Sequence, residues 1–196
     1  MIMKTKTVIN DVTGNWTNIK NKCRTTVNKP YSDIDATKEF KWKLLISEHS
    51  PIRLLSIDWS WKGIAYWVST EWSRHKFEKF ISTQRQDRTG VKRGDSPQDT
   101  PVNFDGYANA QNLIDAWRKR LCKQATKEAQ ALAIDLKKEL SKTELELSLV
   151  LVPNCVYRCG CPEFNECGFW KAFVNDNPDV DMTDIKARYM AYNIRF

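Results

Sequence analysis

A tryptophan-rich alternation between residues 55 and 61 constrains the fold of this chain most. Leu55, Ile57, Trp59 and Trp61 are apolar, and the residues between them are serine or aspartate. A period of two places these four side chains on one face of a β-strand, so the pattern predicts a strand with one well-buried face. A short helix follows up to Trp72, and strand and helix together form a tryptophan-rich platform.

Apolar residues at helical spacing predict further helices along the chain. We expect them over residues 16–27, from Ser32 or Asp33 to Leu45, and over 108–122, 126–140 and 184–192. In the 126–140 helix, Lys127, Lys137 and Lys138 are expected to point outward. A β-like run covers residues 4–12. The segment 89–106 is polar and rich in glycine and proline, and it predicts a loop that contributes to a site.

Length and composition limit the classes of protein to which this chain can belong. A chain of 196 residues predicts one domain, 1–196, and the net charge of +7 favours anionic partners such as a nucleotide, an oligonucleotide or an acidic membrane. No apolar run is long enough to span a bilayer, and residues 1–12 lack the apolar core of a secretory signal. We therefore expect a cytoplasmic protein. Rossmann, P-loop, zincin and hydrolase motifs are absent from the sequence.

A basic stretch from Glu71 to Gly90 is the main candidate for a binding site. It carries six basic or potentially basic residues within fifteen positions, at 74, 75, 76, 79, 85 and 88. Phe77, Phe80 and Ile81 interrupt the charges, which indicates a segment anchored in the protein with its polar groups facing a ligand. Such a segment suits a small, polyanionic, partly aromatic molecule, and a nucleotide meets that description. The alternative is a basic surface loop.

Cysteines form a second candidate site near the C-terminal end. The segment 153–170 is rich in cysteine, and thiolates of Cys155, Cys161 and Cys167, together with either Cys159 or the more distant Cys122, could ligate zinc or an iron–sulfur cluster. The alternative is a loop of reduced thiols with incidental spacing.

Two segments resemble the flavin-dependent thymidylate synthases. Residues 74–76, Arg-His-Lys, and the run STQRQDR at 82–88 are similar to the RHRxxSxNExSxRY motif of that family. The upstream residues Glu48–Arg53 resemble its H-x-[ST]-P-x-E-H segment. The resemblance covers residues 5–125 and is closest to a divergent, phage-associated branch, which implies a bacterial or phage-infected host.

The resemblance implies roles for individual residues. Residues implied to contact FAD are His49, Ser50, Arg53, Arg74, His75 and Lys76. Residues implied to bind or act on the nucleotide are Ser82, Gln84, Arg85, Gln86, Arg88 and Arg158, with Ser82 and Arg88 as the catalytic pair. Two registers remain open, because either Ser82 takes the serine role or Gln84, Gln86 and Arg88 follow the motif after two inserted residues.

The sequence departs from the family pattern at two places. Lys76 stands where the motif has arginine, which removes a bidentate contact. The arginine expected shortly before Pro153 is absent, so Arg158, or Arg118 and Arg120, would have to bind the phosphate.

The fold and reaction implied by the resemblance are also specific. It implies an α/β (α+β) subunit with a mixed sheet flanked by helices, a cysteine-containing C-terminal extension, and a homotetramer with FAD at subunit interfaces. NADPH would reduce the flavin, and methylenetetrahydrofolate would supply one carbon to dUMP or a related pyrimidine nucleotide. Two other hypotheses remain: a nucleic-acid-binding module that uses the basic loop and the tryptophans for stacking, and a metal-stabilised, non-catalytic homologue.

Overall fold

The computed structural model describes residues 6–194, and in that part of the chain four strands form one sheet. The strands are β1 (Thr7–Thr13), β2 (Ser56–Ala65), β3 (Glu78–Ile81) and β4 (Pro101–Asn109). Their order is β1-β2-β4-β3, and each neighbouring pair is antiparallel. The predicted strand at residues 55–61 is therefore the start of β2, which continues past Gly63 to Ala65.

Ten α-helices accompany the sheet within residues 6–194. They are α1 (Trp16–Thr26), α2 (Lys38–Ile46), α3 (Tyr66–Ser73), α4 (Gln86–Thr89), α5 (Ala110–Arg120), α6 (Lys127–Leu140), α7 (Leu145–Val150), α8 (Asn154–Arg158), α9 (Phe169–Asn175) and α10 (Ile185–Asn193). Short 3-10 turns cover Ser50–Leu54 and Arg93–Asp95. No helix among residues 6–194 is both long and apolar enough to cross a membrane. The combination of sheet and helices confirms the predicted α/β (α+β) class. The expected mixed sheet is wrong in one respect, because every neighbouring pair of strands in the described residues is antiparallel.

Tryptophans from β2, α3 and α5 form the centre of the core. Trp59, Trp61, Trp72 and Trp117 are fully buried. The ring centroids of Trp72 and Trp117 lie 4.9 Å apart, and those of Trp61 and Trp72 lie at the same distance. The predicted platform of strand and helix is confirmed. Because all four rings are enclosed, they cannot stack on bases, so that part of the nucleic-acid-binding hypothesis is wrong.

Gly106 of β4 is required by this packing. It lies opposite Trp59 in the β2–β4 register, and a Cβ atom at Gly106 would come within 2.2 Å of Cζ2 of the Trp59 ring. The indole therefore occupies the space that any larger residue at 106 would need.

The other face of the sheet is open. Strand register places Phe80 beside Asp105 and Glu78 beside Tyr107, on the face opposite the buried tryptophans. Val8, Phe80 and Tyr107 are exposed there, with 54%, 68% and 41% of their surface accessible. The sheet thus has one face against helices and one face with apolar side chains in contact with solvent.

Two sequence-based boundaries are wrong. Residues 101–106 belong to β4 and not to the predicted loop, because Val102, Phe104 and Ala108 alternate with outward-facing residues. The strand continues to Asn109, so the helix predicted from residue 108 begins at Ala110. The second helix begins at Lys38 and not near Ser32 or Asp33, because Thr37 accepts the backbone N–H of Phe40 and caps the helix there. The 126–140 helix is confirmed as α6, with Thr126 as its cap.

The predicted outward orientation of Lys137 is also wrong. Its side chain is 2% exposed, and its ammonium group donates hydrogen bonds to the carbonyl of Ser148 and to Oδ1 of Asn193. Lys137 therefore ties α6 to α7 and α10, while Lys127 and Lys138 are exposed as predicted.

Candidate functional site

A cleft of about 470 Å³ opens at the end of the sheet where β2, β3 and β4 meet the start of α5. Its walls combine basic, aromatic and amide side chains. The residues that line it are Arg53, Ser56, His75, Lys76, Phe77, Glu78, Lys79, Tyr107, Asn109 and Asn112. This volume falls within the range of small-molecule sites, and the excess of cations over the single carboxylate of Glu78 favours an anionic ligand.

The turn that carries Arg53 is held by an ion pair. Glu48, in a left-handed conformation with φ of 51°, accepts hydrogen bonds from Arg118 and from Nε2 of Gln111 (2.6 Å). The backbone N–H of Ala110 donates to the carbonyl of Leu55 (2.8 Å). These contacts fix the segment between Glu48 and Leu55 to the start of α5, and Arg53 consequently reaches the cleft.

The chain from α3 to β3 turns tightly at His75. The backbone N–H of His75 donates to the carbonyl of Trp72, and that of Phe77 donates to the carbonyl of His75. Lys79 Nζ donates to the same His75 carbonyl at 2.7 Å. The imidazole of His75 is parallel to the Phe77 ring, with an interplanar angle of 5°. The turn therefore presents an imidazole, a phenyl ring and two ammonium groups, those of Lys76 and Lys79, to the cleft.

Arg120 contacts His75 from behind the cleft. Its Nε–H donates to Nε2 of His75 at 2.8 Å, and its other nitrogens donate to the side chain and the carbonyl of Glu71. Burial, followed by the charges of Arg120 and Lys79, lowers the pKa of His75 to about 4. His75 is consequently neutral at pH 7.

Amide groups complete the cleft at the start of α5. Asn109 is the last residue of β4, and its side-chain oxygen accepts the backbone N–H of Asn112 at 3.0 Å, which caps α5. Tyr107 is two residues before Asn109 in β4 and lies on the open face of the sheet. These residues add hydrogen-bonding groups beside the cations, and such groups suit the carbonyl and phosphate oxygens of a nucleotide.

Three of the six residues predicted to contact a flavin line this cleft: Arg53, His75 and Lys76. Arg74 is exposed. The pKa of Arg120 is lowered mainly by burial; the charge of Glu71 raises this pKa and the charge of Arg74 lowers it. His49 and Ser50 are exposed at the start of the 3-10 turn and do not line the cleft. Their roles stay predictions.

The residues predicted to bind or act on the nucleotide lie outside the cleft. Ser82 follows β3, and its hydroxyl accepts the backbone N–H of Asn103 at 2.7 Å. Gln84 is half-buried beyond it, and Gln86 and Arg88 are exposed in the short helix α4. Arg85 is paired with Asp87 at 2.7 Å. Their roles also stay predictions.

None of the three arginines proposed as phosphate ligands lines the cleft. Arg158 donates to Oδ1 of Asn154 at 3.2 Å, at the end of α8. Arg118 forms an ion pair with Glu48. Burial alone would lower the pKa of Arg118, but the hydrogen bond and the charge of Glu48 act in the opposite direction and the pKa is raised. Arg120 donates to Glu71 and His75. Both helix arginines are thus engaged with protein groups.

Cys122, Cys155, Cys161 and Cys167 lie near one another around α8. Burial, with smaller contributions from Cys122 and Cys161, raises the pKa of Cys155 to about 12. Burial also raises the pKa of Cys122, with smaller contributions from Glu163, Cys167 and Cys161. The thiol of Cys159 donates to the carbonyl of Met182. In the part of the chain that the structure describes, no three His, Cys, Asp or Glu side chains are placed to hold a metal ion. Metal binding by Cys122, Cys155, Cys161 and Cys167 stays a prediction.

Several residues of the cleft are missed by sequence reasoning. They are Ser56, Tyr107, Asn109 and Asn112, whereas Phe77, Glu78 and Lys79 belong to the basic stretch that is the main candidate site in the sequence. The period-two pattern of Val102, Phe104 and Ala108 would have identified β4, and Asn109 before an apolar helical pattern is a helix-capping signal. Together these signals would have placed Tyr107 and Asn109 at the end of a strand.

Comparison with known proteins identifies the fold. No protein-family model and no curated protein matches the chain in sequence. Among solved structures, it is similar to thymidylate synthase X (ThyX) from Helicobacter pylori with FAD and dUMP, with a TM-score of 0.59 and 16% identity over 75% of this chain and 97% of that one. It is also similar to the UMP/dUMP methylase PolB from Streptomyces cacaoi bound with 5-Br dUMP, with a TM-score of 0.60 and 11% identity over 75% of this chain and 94% of that one.

The fold is therefore that of the flavin-dependent thymidylate synthases. The family resemblance noted in the sequence is confirmed at the level of fold. A second Helicobacter pylori ThyX structure, complexed with FAD and dUMP, is similar with a TM-score of 0.58 and 16% identity, over 72% of this chain and 97% of that one. Assignment to a phage-associated branch stays a prediction.

Proposed function

We propose that this protein is a flavin-dependent enzyme that transfers one carbon from methylenetetrahydrofolate to dUMP or a related pyrimidine nucleotide. The observation that carries the proposal is that Arg53, His75 and Lys76 converge in one cleft of a fold shared with enzymes bound to dUMP or 5-Br dUMP. FAD, reduced by NADPH, would supply the hydride. The chain's own residues would bind and orient the reactants.

Charge is the first contribution of the cleft. Arg53, Lys76 and Lys79 face it against one carboxylate, that of Glu78. Phosphate oxygens of a dinucleotide would be bound by these cations, and an arginine would do so with two parallel hydrogen bonds where a lysine offers a single point charge. Lys76 therefore gives weaker geometric control than the arginine of the family motif.

Aromatic and amide groups are the second contribution. Phe77 and Tyr107 provide flat surfaces beside the cations, and Asn109 and Asn112 carry amides that donate and accept hydrogen bonds. A planar ring with carbonyl oxygens fits these groups. Ser82, Arg88 and the glutamines at 84 and 86 would reach the pyrimidine nucleotide from the adjoining loop.

Assembly into a homotetramer is part of the proposal. The cleft lies at the margin of the open sheet face, where Val8, Phe80 and Tyr107 expose apolar surface. A second copy packed on this face would cover those side chains and close the cleft toward solvent. Binding a flavin between subunits would then exclude water from both reactants.

The test is FAD binding and nucleotide methylation by the purified protein. We expect the protein to bind FAD and to convert dUMP or a related pyrimidine nucleotide when NADPH and methylenetetrahydrofolate are present. Lys76→Ala should weaken FAD binding about tenfold, because it removes one charge-assisted contact. Lys142→Ala, whose ammonium group pairs with Glu139 and does not line the cleft, is the matched loss of a lysine cation. Equal FAD binding by both variants would contradict the proposed cleft.

A further inference from the structure

The imidazole of His75 is hydrogen bonded in a way that permits only one protonation state. A guanidinium group has N–H donors and no acceptor, so the 2.8 Å contact between Arg120 Nε and His75 Nε2 requires an unprotonated Nε2. Neutral imidazole carries its single proton on the other nitrogen, Nδ1. Protonation of Nε2 would set two donors against each other and break the contact. The geometry thus defines both the charge and the tautomer.

Arg120 itself is held rigidly. Its Nη1 donates to Oε2 of Glu71 at 3.1 Å, and its Nη2 donates to the Glu71 carbonyl at 2.6 Å. Thr126, the cap of α6, donates its hydroxyl to the same Oε2 at 3.0 Å. The side chains of Arg120 and Glu71 are only 14% and 19% exposed. All three kinds of guanidinium nitrogen are therefore in use, and the Nε–H direction is fixed by α3 and α6 together.

The nitrogen that bears the proton has no acceptor in the described part of the chain. Within residues 6–194, no hydrogen bond joins Nδ1 of His75 to another residue, although this ring lines the cleft. The rings of Trp72 and Phe77 lie beside the imidazole, with centroid separations of 5.9 Å and 6.4 Å, and the bond from Arg120 sets the orientation of its Nε2 side. An N–H donor of fixed direction therefore remains for a ligand.

We propose that Arg120 is a positioning residue that holds His75 as the neutral Nδ1–H tautomer, so that the cleft presents one fixed donor to an acceptor oxygen of the bound nucleotide. The identity of that ligand rests on the proposed function. The oxygen belongs either to FAD or to the pyrimidine nucleotide, since both carry carbonyl and phosphate oxygens. Lys76 and Arg53 supply charge in the same cleft, whereas His75 supplies a directed contact without charge.

Nitrogen-15 NMR of histidine-labelled protein tests the tautomer directly. The chain has only two histidines, and His75→Gln assigns the two imidazole signals. We expect His75 in the ligand-free wild type to show a protonated Nδ1 and a bare Nε2 from pH 7.5 down to pH 5.5. The charged groups nearest the ring are Arg120 from α5 and Lys79 from β3, and Glu71 and Arg74 flank Arg120. A protonated Nε2 in the wild type would overturn the proposal.

Variants at Arg120 separate positioning from simple packing. Arg120→Met should abolish the single tautomer, whereas Glu71→Gln leaves the Nε–H contact and should retain it. Arg120→Lys keeps a cationic donor and should restore the Nδ1–H signal. If Arg120→Met does not fold, the wild-type and Arg120→Lys spectra decide. A His75 spectrum unchanged in folded Arg120→Met would overturn the role of Arg120.

Ligand addition tests the use of the donor. FAD and dUMP are added separately, and the ligand whose oxygen accepts the hydrogen bond should shift the Nδ1–H resonance of His75. The protein's affinity for that ligand should be about tenfold lower in Arg120→Met than in Glu71→Gln. Binding of a ligand without any shift would overturn the donor's role. Failure of both ligands to bind would refute the proposed function, and with it the donor's ligand, while the tautomer is judged on the ligand-free protein.

Discussion

Glu48 and Arg118 form an ion pair between the turn that precedes β2 and the helix α5, with side chains only 20% and 11% exposed. Arg118 also places its guanidinium carbon 3.4 Å from the centroid of the Tyr157 ring. The pair joins three parts of the chain: the 3-10 turn with Arg53, α5, and α8. It explains why Arg118, a candidate phosphate ligand by its position on a basic helix, instead supports the wall of the cleft.

Removal of one partner of this pair should destabilise the protein strongly. Glu48→Ala leaves the Arg118 charge buried, and we expect a loss of about 3 kcal/mol in the free energy of unfolding. Urea denaturation followed by tryptophan fluorescence measures it. Asp87→Ala is the matched control, because the exposed Arg85–Asp87 pair should contribute less than about 1 kcal/mol. Equal losses in the two variants would contradict a structural role for the buried pair.

The contact between Gly106 and Trp59 predicts a second stability effect. Gly106→Ala places a methyl group where the indole lies, 2.2 Å from Cζ2 in the present geometry. We expect a loss of about 1–3 kcal/mol in unfolding free energy from overpacking. Gly94→Ala, at a position with no atom within 4 Å of the new methyl group, should change stability by less than about 0.5 kcal/mol. A stable Gly106→Ala protein would show that the indole can move aside.

The lowered pKa of His75 predicts a pH dependence of stability. Unfolding returns the imidazole from a pKa of about 4 to its ordinary value of 6.5, so the unfolded chain binds more protons between these values. The contribution of His75 to the free energy of unfolding is therefore complete above pH 6.5, and stability decreases as the pH falls toward 4. Urea midpoints at pH 7.5, 5.5 and 4.5 measure the decrease. The decrease of the urea midpoint with falling pH should be smaller in His75→Gln. The control His49→Gln, which retains His75, should behave as the wild type. An equal decrease in all three proteins would contradict the lowered pKa of His75.

Thiol reactivity should differ among the cysteines near α8. Cys155 is buried with a pKa raised to about 12, so little of it is thiolate at pH 8. Cys167 is exposed. We expect an alkylating reagent at pH 8 to modify Cys167 early and Cys155 last, as mapped by mass spectrometry of peptides. Early modification of Cys155 in the folded protein would contradict its burial.

The sequence predicts those parts of the fold whose pattern is local. The period-two apolar residues of β2 and the helical spacing of α6 depend only on neighbours a few residues away. By contrast, β3 is four residues long, with Glu78 and Lys79 among them, and becomes a strand only because β4 pairs with it. The glycine and prolines around β4 indicate a loop, although Gly106 is there to admit the Trp59 ring.

The residues of the cleft also divide into those that a local sequence motif predicts and those that only the tertiary structure places there. Arg53, His75 and Lys76 could be predicted because the short motif that contains them resembles a known one. Lys79 is identified in the sequence as part of the basic stretch, but its place in the cleft depends on the pairing of β3 with β4. The partners of Arg118 and Arg120 lie 70 and 45 residues away in the chain, so only the tertiary structure shows that both arginines are bound to protein groups. The burial of Lys137 between α6, α7 and α10 is likewise a tertiary effect.

The central claim is that one cleft binds a flavin beside a pyrimidine nucleotide. A dUMP titration of the FAD-loaded protein, followed by visible absorption of the flavin, tests it most directly, because a nucleotide bound against the flavin ring changes its spectrum. We predict a saturable spectral change in the wild type and a weaker one in Arg53→Ala. A protein that binds no FAD, or a flavin spectrum that dUMP and related pyrimidine nucleotides leave unchanged, would contradict the account.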